Sequence, residues 1–321
     1  MAKRIVVIGD IILDEYIEGT SSRLSPEAPV PVVLHKTTRH SLGGAANVAA
    51  NIKAMGGEPV LVGVIGTDIK ASVVRSLMSA QHINIAGLCY FTGPTTMKTR
   101  IISGEQHICR LDYDEPREDC AADLKPTLNA LRDIKPDGVV ISDYNKGVIS
   151  YSTQEIIIEA LKNFNAPVII DPKPKNGHSY HDMQGACENL PFLKTPNVNE
   201  AIEMTRAHSI EEAFGILQIT EKHAIVTAGE QGMFVLERRQ AVQVPTEARE
   251  VFDVSGAGDT VVAALSLCDW SKDLMKAAVI ANLAAGIAVE HHGTYAVSWQ
   301  ELKKRATKKA LTFSAGFEKI L

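Results

Sequence analysis

Four successive β-branched residues, Ile5-Val6-Val7-Ile8, are followed at once by Gly9-Asp10. An apolar run of that length, closed by a turn residue, predicts a strand buried on both faces of a parallel sheet. The design recurs along the chain. Strand-like runs at 138–142, 167–170, 192–195 and 224–227 each stop at a polar cluster. The clusters are Asp143-Tyr144-Asn145-Lys146-Gly147, Asp171-Pro172-Lys173, Pro196-Asn197-Val198-Asn199-Glu200 and Ala228-Gly229-Glu230-Gln231-Gly232. Helical patterns follow from about Thr153 and after the Asn197 cluster, and 59–66 with 68–80 read as a further strand and helix. Regular β–α alternation predicts an α/β fold whose strand carboxyl ends form one active-site rim.

Two stretches break the pattern. Residues 25–33 set Pro26, Pro29 and Pro31 among valines, which predicts an edge strand or extended arm. Residues 90–113 have period-two chemistry and no helical stripe. Lys98 and Arg100 share a strand face there, and Arg110 lies on the next strand beyond a Ser103-Gly104-Glu105 turn. This basic cluster reads either as a solvated strand face or as a grip on an acidic group, such as a phosphate, carried by a substrate.

The chemically richest segment is Asp253-Val254-Ser255-Gly256-Ala257-Gly258-Asp259-Thr260. A strand-like approach (241–244, then 251–252) leads in and an apolar run at 261–267 leads out, so a tight glycine turn should open a helix at about Gly258. Glycines at Gly256 and Gly258 leave no side chain between the amides and a ligand. Several N–H groups then converge at the positive end of a helix dipole, which suits phosphate oxygens. Asp259 sits at that same end and is expected to be ionised and able to accept a proton at neutral pH. An anion cradle beside a carboxylate base suits phosphoryl transfer to an alcohol. A glycine-rich helix start with a capping Asp would look the same. No G-x-x-x-x-G-K-[ST] occurs, and the third glycine of a G-x-G-x-x-G would fall on Val261.

Other candidates lie on the rim. Asp10 and Asp14 follow the first strand, where carboxylates meet ligand hydroxyls or merely close a turn. Leu42-Gly43-Gly44-Ala45-Ala46-Asn47 opens a helix to about Met55. Its glycines allow close approach, and Asn47 offers donor and acceptor to a diol, although the same wording serves helix packing. Asp143 and Lys146 can hold acceptor hydroxyls or phosphate; Asp171 and Lys173 offer a carboxylate and a cation near phosphates. Asn197 and Glu200, three apart at a helix start, suit either a hydrated Mg²⁺ or a capping box. Ala281-Asn282-Leu283-Ala284-Ala285-Gly286 fits a flat base or close helix packing. His178 and His181 lack a companion ligand set and read as surface residues.

Composition narrows the classes. The 321 residues, 45% hydrophobic and 22% charged, can bury a large core as one domain with a small appendage. A net charge of −5 and 5% aromatics give no footprint for nucleic acid or an anionic membrane. Five cysteines without a C-x-x-C suggest free thiols in a reducing cytoplasm. The N-terminal apolar run is too short for a signal segment.

Residues 253–260 resemble the signature of the ribokinase-like (PfkB) family of small-molecule kinases, and motif order resembles that family from Ile5 to about Thr294. The resemblance implies a three-layer α/β/α ribokinase-like fold, one domain over 1–321, with a small β-sheet lid built from about 16–40 and 88–113. It implies Asp259 as catalytic base, an anion hole at Gly256, Ala257 and Gly258, and an acceptor site at Asp10, Asp14, Gly43, Gly44, Asn47 and Asp143. It implies ATP with Mg²⁺, the metal at Asn197 and Glu200, the nucleotide at Thr227, Gly229, Gly232, Lys173 and Asn282, and a homodimer through the lid. Monovalent-cation dependence stays open. Leu24-Ser25-Pro26-Glu27-Ala28-Pro29-Val30-Pro31-Val32 resembles, more narrowly, bacterial heptose-phosphate kinases of lipopolysaccharide-core biosynthesis. That implies a phosphorylated sugar acceptor, with Lys98, Arg100 and Arg110 as clamp and Lys146 nearby. A kinase for another sugar or nucleoside, or a non-catalytic sugar sensor, is the alternative. Many heptose kinases are fused to an adenylyltransferase carrying H-x-G-H; that motif is absent from these 321 residues, which reads as a stand-alone kinase or the kinase part of a longer protein.

Overall fold

A computed structural model describes residues 2–104, 106–114, 120–237 and 240–308. The first half of the chain runs β1 (Arg4–Gly9), β2 (Ile11–Leu24), β3 (Pro31–Gly44), α1 (Ala45–Ala54), β4 (Glu58–Ile65), α2 (Ile69–Ala80), β5 (Leu88–Tyr90), β6 (Met97–Ser103), β7 (Gln106–Tyr113) and α3 (Ala121–Ala130). It continues with β8 (Gly138–Ser142), α4 (Gln154–Phe164), β9 (Val168–Asp171), α5 (Gly177–Ala186), β10 (Phe192–Lys194), α6 (Val198–Thr205) and α7 (Ile210–Thr220). The last part holds β11 (His223–Thr227), β12 (Met233–Glu237), β13 (Gln240–Val244), α8 (Ala257–Leu267), α9 (Leu274–Ala288) and α10 (Trp299–Lys308).

Nine strands form one sheet in the order β13-β12-β11-β10-β9-β8-β1-β4-β5. Pairing is parallel from β11 through β5, and antiparallel only at the β11-β12-β13 margin. The continuous apolar run of β1 is explained by its central place, because successive side chains go to opposite faces. Ile5 and Val7 join a core with α1, α8 and α9. Val6 and Ile8 join a second core with α3, α4 and α5 on the other face. The result is the expected three-layer α/β/α arrangement.

A separate four-stranded sheet, β3-β2-β6-β7, stands off the first. β2 begins one residue after Asp10, so this lid grows directly from the carboxyl end of the central strand. Its root is buried at Ile11, Ile12, Leu13 and Tyr16, whereas Leu24, Val30 and Leu34 at the far end are exposed. Three expectations are corrected. Leu88–Tyr90, taken with the second lid segment on sequence, pairs in parallel with β4 at the edge of the large sheet. Of the proline-rich 25–33 stretch only Pro31 onward is strand. Val251 and Phe252 are irregular and more than half exposed, not an approaching strand. Glu105, expected in the β6–β7 turn, lies outside the described residues.

β10 carries a lysine where an apolar residue is expected. Lys194 is buried, and its ammonium donates to Glu221 at 2.6 Å, whose other oxygen accepts from Gln184 at 2.9 Å. A buried charge left alone is far costlier than the pair. Lys194→Met should therefore destabilise the protein by about 3–5 kcal/mol, read as a lowered urea midpoint, and Lys194→Met with Glu221→Leu should recover most of the loss.

Candidate active site

The rim predicted from the polar clusters is physically one edge. Thr227, Asn197, Asp171, Asp143 and Asp10 stand at or just beyond the carboxyl ends of adjacent strands β11, β10, β9, β8 and β1. The amino end of α8 faces this edge. Gly256 caps the helix in the left-handed region at φ 76°, where a Cβ would lie 2.5 Å from Asn47 Nδ2. A Cβ on Gly258 would meet nothing within 4 Å. Glycine is thus required at 256 by conformation and contact, while at 258 it keeps the space before the helix open. The Ala257 N–H donates to the Val254 carbonyl at 3.3 Å, and the next N–H groups of α8 have no intrahelical acceptor, which fits phosphate oxygens.

Asp259, in the first turn of α8, is buried. Its Oδ2 accepts from Asn47 Nδ2 at 2.8 Å and its Oδ1 from the Tyr144 hydroxyl at 2.8 Å. Burial pushes its carboxyl up to about 6, against the two hydrogen bonds and the nearby Lys98 charge, which pull it down. Desolvation works against the charged form expected at the helix end, yet the carboxylate still predominates at neutral pH.

At the ends of β1 and β8, Asp10 is a loop organiser. Its carboxylate accepts the backbone N–H of Tyr144 (2.8 Å), Lys146 (3.0 Å) and Val148 (3.1 Å). Asp143 accepts from Asn145 N–H (2.6 Å), Asn176 (2.7 Å) and the Tyr180 hydroxyl, and burial together with the Asp10 charge raises its carboxyl. Asp14, on β2, is paired with Arg100 at 2.5 Å and lies against Gly43, where a Cβ would sit 2.3 Å from its Oδ2. Gly44 is left-handed at φ 58°, and a Cβ there would lie 2.4 Å from the Asp10 carbonyl.

The basic residues come together, but not equally free. Arg100 and Arg110 are register partners on β6 and β7, opposite Tyr16 on β2 and beside Lys98. Arg100 is committed to Asp14, and Lys146 to Asp114 at 2.5 Å. Arg110 forks onto Asp112 at 2.8 and 3.0 Å in an exposed pair, a class worth little and readily exchanged. Lys98 makes no ion pair among the described residues. Its ammonium lies 5.1 Å from the Tyr144 ring centroid, and burial lowers its pKa. Arg100, His107, Arg110, Val254 and Ser255 line a cavity of about 540 Å³ between the lid and the 251–255 turn.

On the opposite side, Asn197 and Glu200 form the capping box of α6, with bonds of 3.0 and 2.9 Å, and the other oxygen of Glu200 receives Lys173. Burial raises the Asp171 carboxyl well above its ordinary range, helped by the charges of Asp259 and Glu200. Such a concentration of carboxylate is what a divalent cation relieves, so the donor set fits a hydrated Mg²⁺ alongside the cap. No group of three or more His, Cys, Asp or Glu with metal-site geometry occurs among the described residues. Gly229 and Gly232 are left-handed at φ 55° and 84° in the turn after Thr227. Asn282, expected to face a base edge, donates its amide N–H to the Pro245 carbonyl at 2.6 Å. His181 is exposed, and the His178 side chain lies outside the described residues.

Sequence reasoning missed Tyr144, Tyr180, Asn176 and Tyr16. Tyr144 had a signal, an aromatic wedged between Asp143 and Lys146 at a strand end. Asn176 and Tyr180 reach the rim from the turn before α5 and from α5 itself, a helix with no amphipathic pattern to announce it.

Residues 2–301 match the family of pfkB family carbohydrate kinases. The chain belongs to that family. It is a phosphotransferase with an alcohol group as acceptor, and a sugar kinase in the broad sense. The chain is 38% identical over 313 residues to the bifunctional protein HldE of Pseudomonas paraeruginosa, covering 95% of this chain. It is 39% identical over 314 residues to HldE of Helicobacter pylori, covering 94%. It spans 64–65% of the length of these relatives. In fold it is similar to phosphofructokinase-2 from Escherichia coli solved with substrates and products (TM-score 0.78, 16% identity, 96% and 99% of the two chains). It is also similar to Arabidopsis thaliana ribokinase complexed with ribose and ATP (TM-score 0.73, 20% identity, 98% and 100%).

Gly256→Ala tests the cradle. It forces an L-residue into the left-handed region, at a cost of about 1–2 kcal/mol, and drives Asn47 away from Asp259. A lowered urea midpoint together with a roughly 100-fold or greater fall in turnover is expected.

Proposed function

We propose that this kinase transfers the γ-phosphoryl group of ATP to O1 of D-glycero-β-D-manno-heptose 7-phosphate, giving the 1,7-bisphosphate, in lipopolysaccharide-core biosynthesis. The observation that carries the reading is the basic inner face of the lid, Lys98, Arg100 and Arg110, set on the sheet that also presents Asp14 at the acceptor side. The likeness of residues 24–32 to heptose-phosphate kinases and the identity with bacterial HldE proteins support it.

Asp259 takes the proton of the attacking hydroxyl. Asp14, Gly43, Gly44, Asn47 and Asp143 surround the acceptor, with Asp10 fixing the loop that carries Tyr144 and Lys146. The amides at Gly256 and Gly258, with that of Ala257 once it leaves its 3.3 Å bond to the Val254 carbonyl, hold the oxygens of the moving phosphoryl group, and Lys173 adds a positive charge. Thr227, Gly229, Gly232 and Asn282 border the nucleotide. Asn197 and Glu200 would hold a hydrated Mg²⁺, which when bound neutralises charge on the polyphosphate. Of the basic residues, Arg110 and Lys98 are the ones available to a substrate phosphate, because Arg100 is held by Asp14.

The protein acts in the cytoplasm as a homodimer formed through the lid, whose far end exposes Leu24, Val30 and Leu34. No helix among the described residues is long and apolar enough to cross a membrane. A second reading, a kinase for another sugar or a nucleoside, is favoured by one observation: both arginines already have a carboxylate partner.

Asp259→Asn should lower kcat roughly 100- to 10,000-fold with ATP affinity unchanged, measured by initial rates and nucleotide titration. Near-normal turnover would remove Asp259 as the base. Arg110→Ala should raise the KM for the phosphosugar roughly 10- to 100-fold with little change in kcat. An unchanged KM would favour a neutral acceptor.

A further inference from the structure

Asp259 is held by two donors from different parts of the chain, and one of them has no role in the reaction as described. Asn47 reaches Oδ2 from α1; the Tyr144 phenol reaches Oδ1 from the loop after β8, both at 2.8 Å. A carboxylate oxygen has a second lone pair, so both bonds can persist while an acceptor hydroxyl approaches. We propose that Tyr144 is a positioning residue for the kinase reaction: its hydroxyl orients the Asp259 carboxylate and keeps it ionised for proton transfer. The proposal rests on Asp259 being the base.

The placement of Tyr144 is fixed from three sides. Its N–H donates to Asp10 at 2.8 Å. Its ring carries Lys98 at 5.1 Å and Lys173 at 5.4 Å from the centroid, within the range of cation–π contact. Burial and the Asp259 and Asp171 charges push the phenol's own ionisation well above its ordinary range, so it stays a donor at every working pH. The groups facing Asp259 explain why a donor is needed. Asp14 from β2 and Asp171 from the end of β9 disfavour its charge, and Lys98 from β6 favours it. Burial adds to the two acids. Without Tyr144 the base would titrate higher and lose one of its two orienting contacts.

Tyr144→Phe keeps the ring and its stacking against both lysines while removing the hydroxyl. In the wild type the acid limb of kcat/KM should fall near pH 6, where Asp259 titrates. In Tyr144→Phe the limb should move up by roughly one unit or more, with activity largely recovered above it and the KM for ATP unchanged. A ¹³C-carboxyl NMR titration of Asp259 in both nucleotide-free proteins should move by the same amount, independently of turnover. An unmoved limb and an unmoved titration overturn the proposal. If Asp259→Asn is inactive in that case, the base stands and only the tyrosine's role falls; if Asp259→Asn is active, the reading beneath it fails. Should Tyr144→Phe not fold, fluorotyrosine placed at position 144 alone, a stronger donor, must move the limb down; a limb that stays in place overturns the proposal equally.

Discussion

Everything at this site depends on keeping one buried carboxylate charged. Removing Asp259 from water carries a penalty on the order of several kcal/mol, and burial pushes its carboxyl upward. Three features offset the penalty: the Asn47 amide, the Tyr144 phenol and the Lys98 charge. The balance sets the carboxyl at about 6, high enough to want a proton and low enough to be without one at neutral pH. Each supporting group comes from a different region, so the proposed base is assembled only when α1, the β8 rim loop and the glycine turn are all in place.

The lid is fastened to the same constellation. The Tyr16 hydroxyl accepts from Thr294 N–H at 3.3 Å, and Thr294 donates to Ser41 at 2.7 Å. Asp253, the first residue of the glycine signature, accepts from Ser255 N–H at 2.8 Å and Gly293 N–H at 2.9 Å. The turn that shapes the anion cradle and the root of the lid are thus tied through the 293–294 turn. Arg100, stacked near Tyr16 and paired with Asp14, extends the link to the acceptor side. A strained fit at Gly43, Gly44 or Gly256 would be felt across all of it, because the Asp14 carboxylate, the Asp10 carbonyl and the Asn47 amide respectively fill the space a Cβ would need.

Much of this was legible in the chain. The runs ending at Asp10, Asp143, Asp171, Asn197 and Thr227 announced a parallel sheet and its functional edge, since period and punctuation are local properties. The glycine turn was legible for the same reason. What could not be read were properties of the assembled fold. Extended chemistry in the expected lid segment at 88–113 does not say which sheet a strand joins, and β5 went to the large one. A carboxylate at a strand end does not say whether it faces ligand or backbone; Asp10 serves three amides. Asn197 and Glu200 fit two roles by spacing, and both bonds of the capping box are present. Tyr180 enters from a helix whose position only tertiary packing determines.

The central claim is a charged base beneath a lid that selects a phosphorylated sugar. The most direct measurement is ATP-to-ADP turnover in the presence of Mg²⁺ with heptose 7-phosphate, unphosphorylated heptose, fructose 6-phosphate, ribose and adenosine offered separately. Turnover confined to heptose 7-phosphate is the expected result. Preference for a neutral acceptor would contradict the role given to the lid's basic face, and no turnover with any acceptor would contradict the assignment of the site.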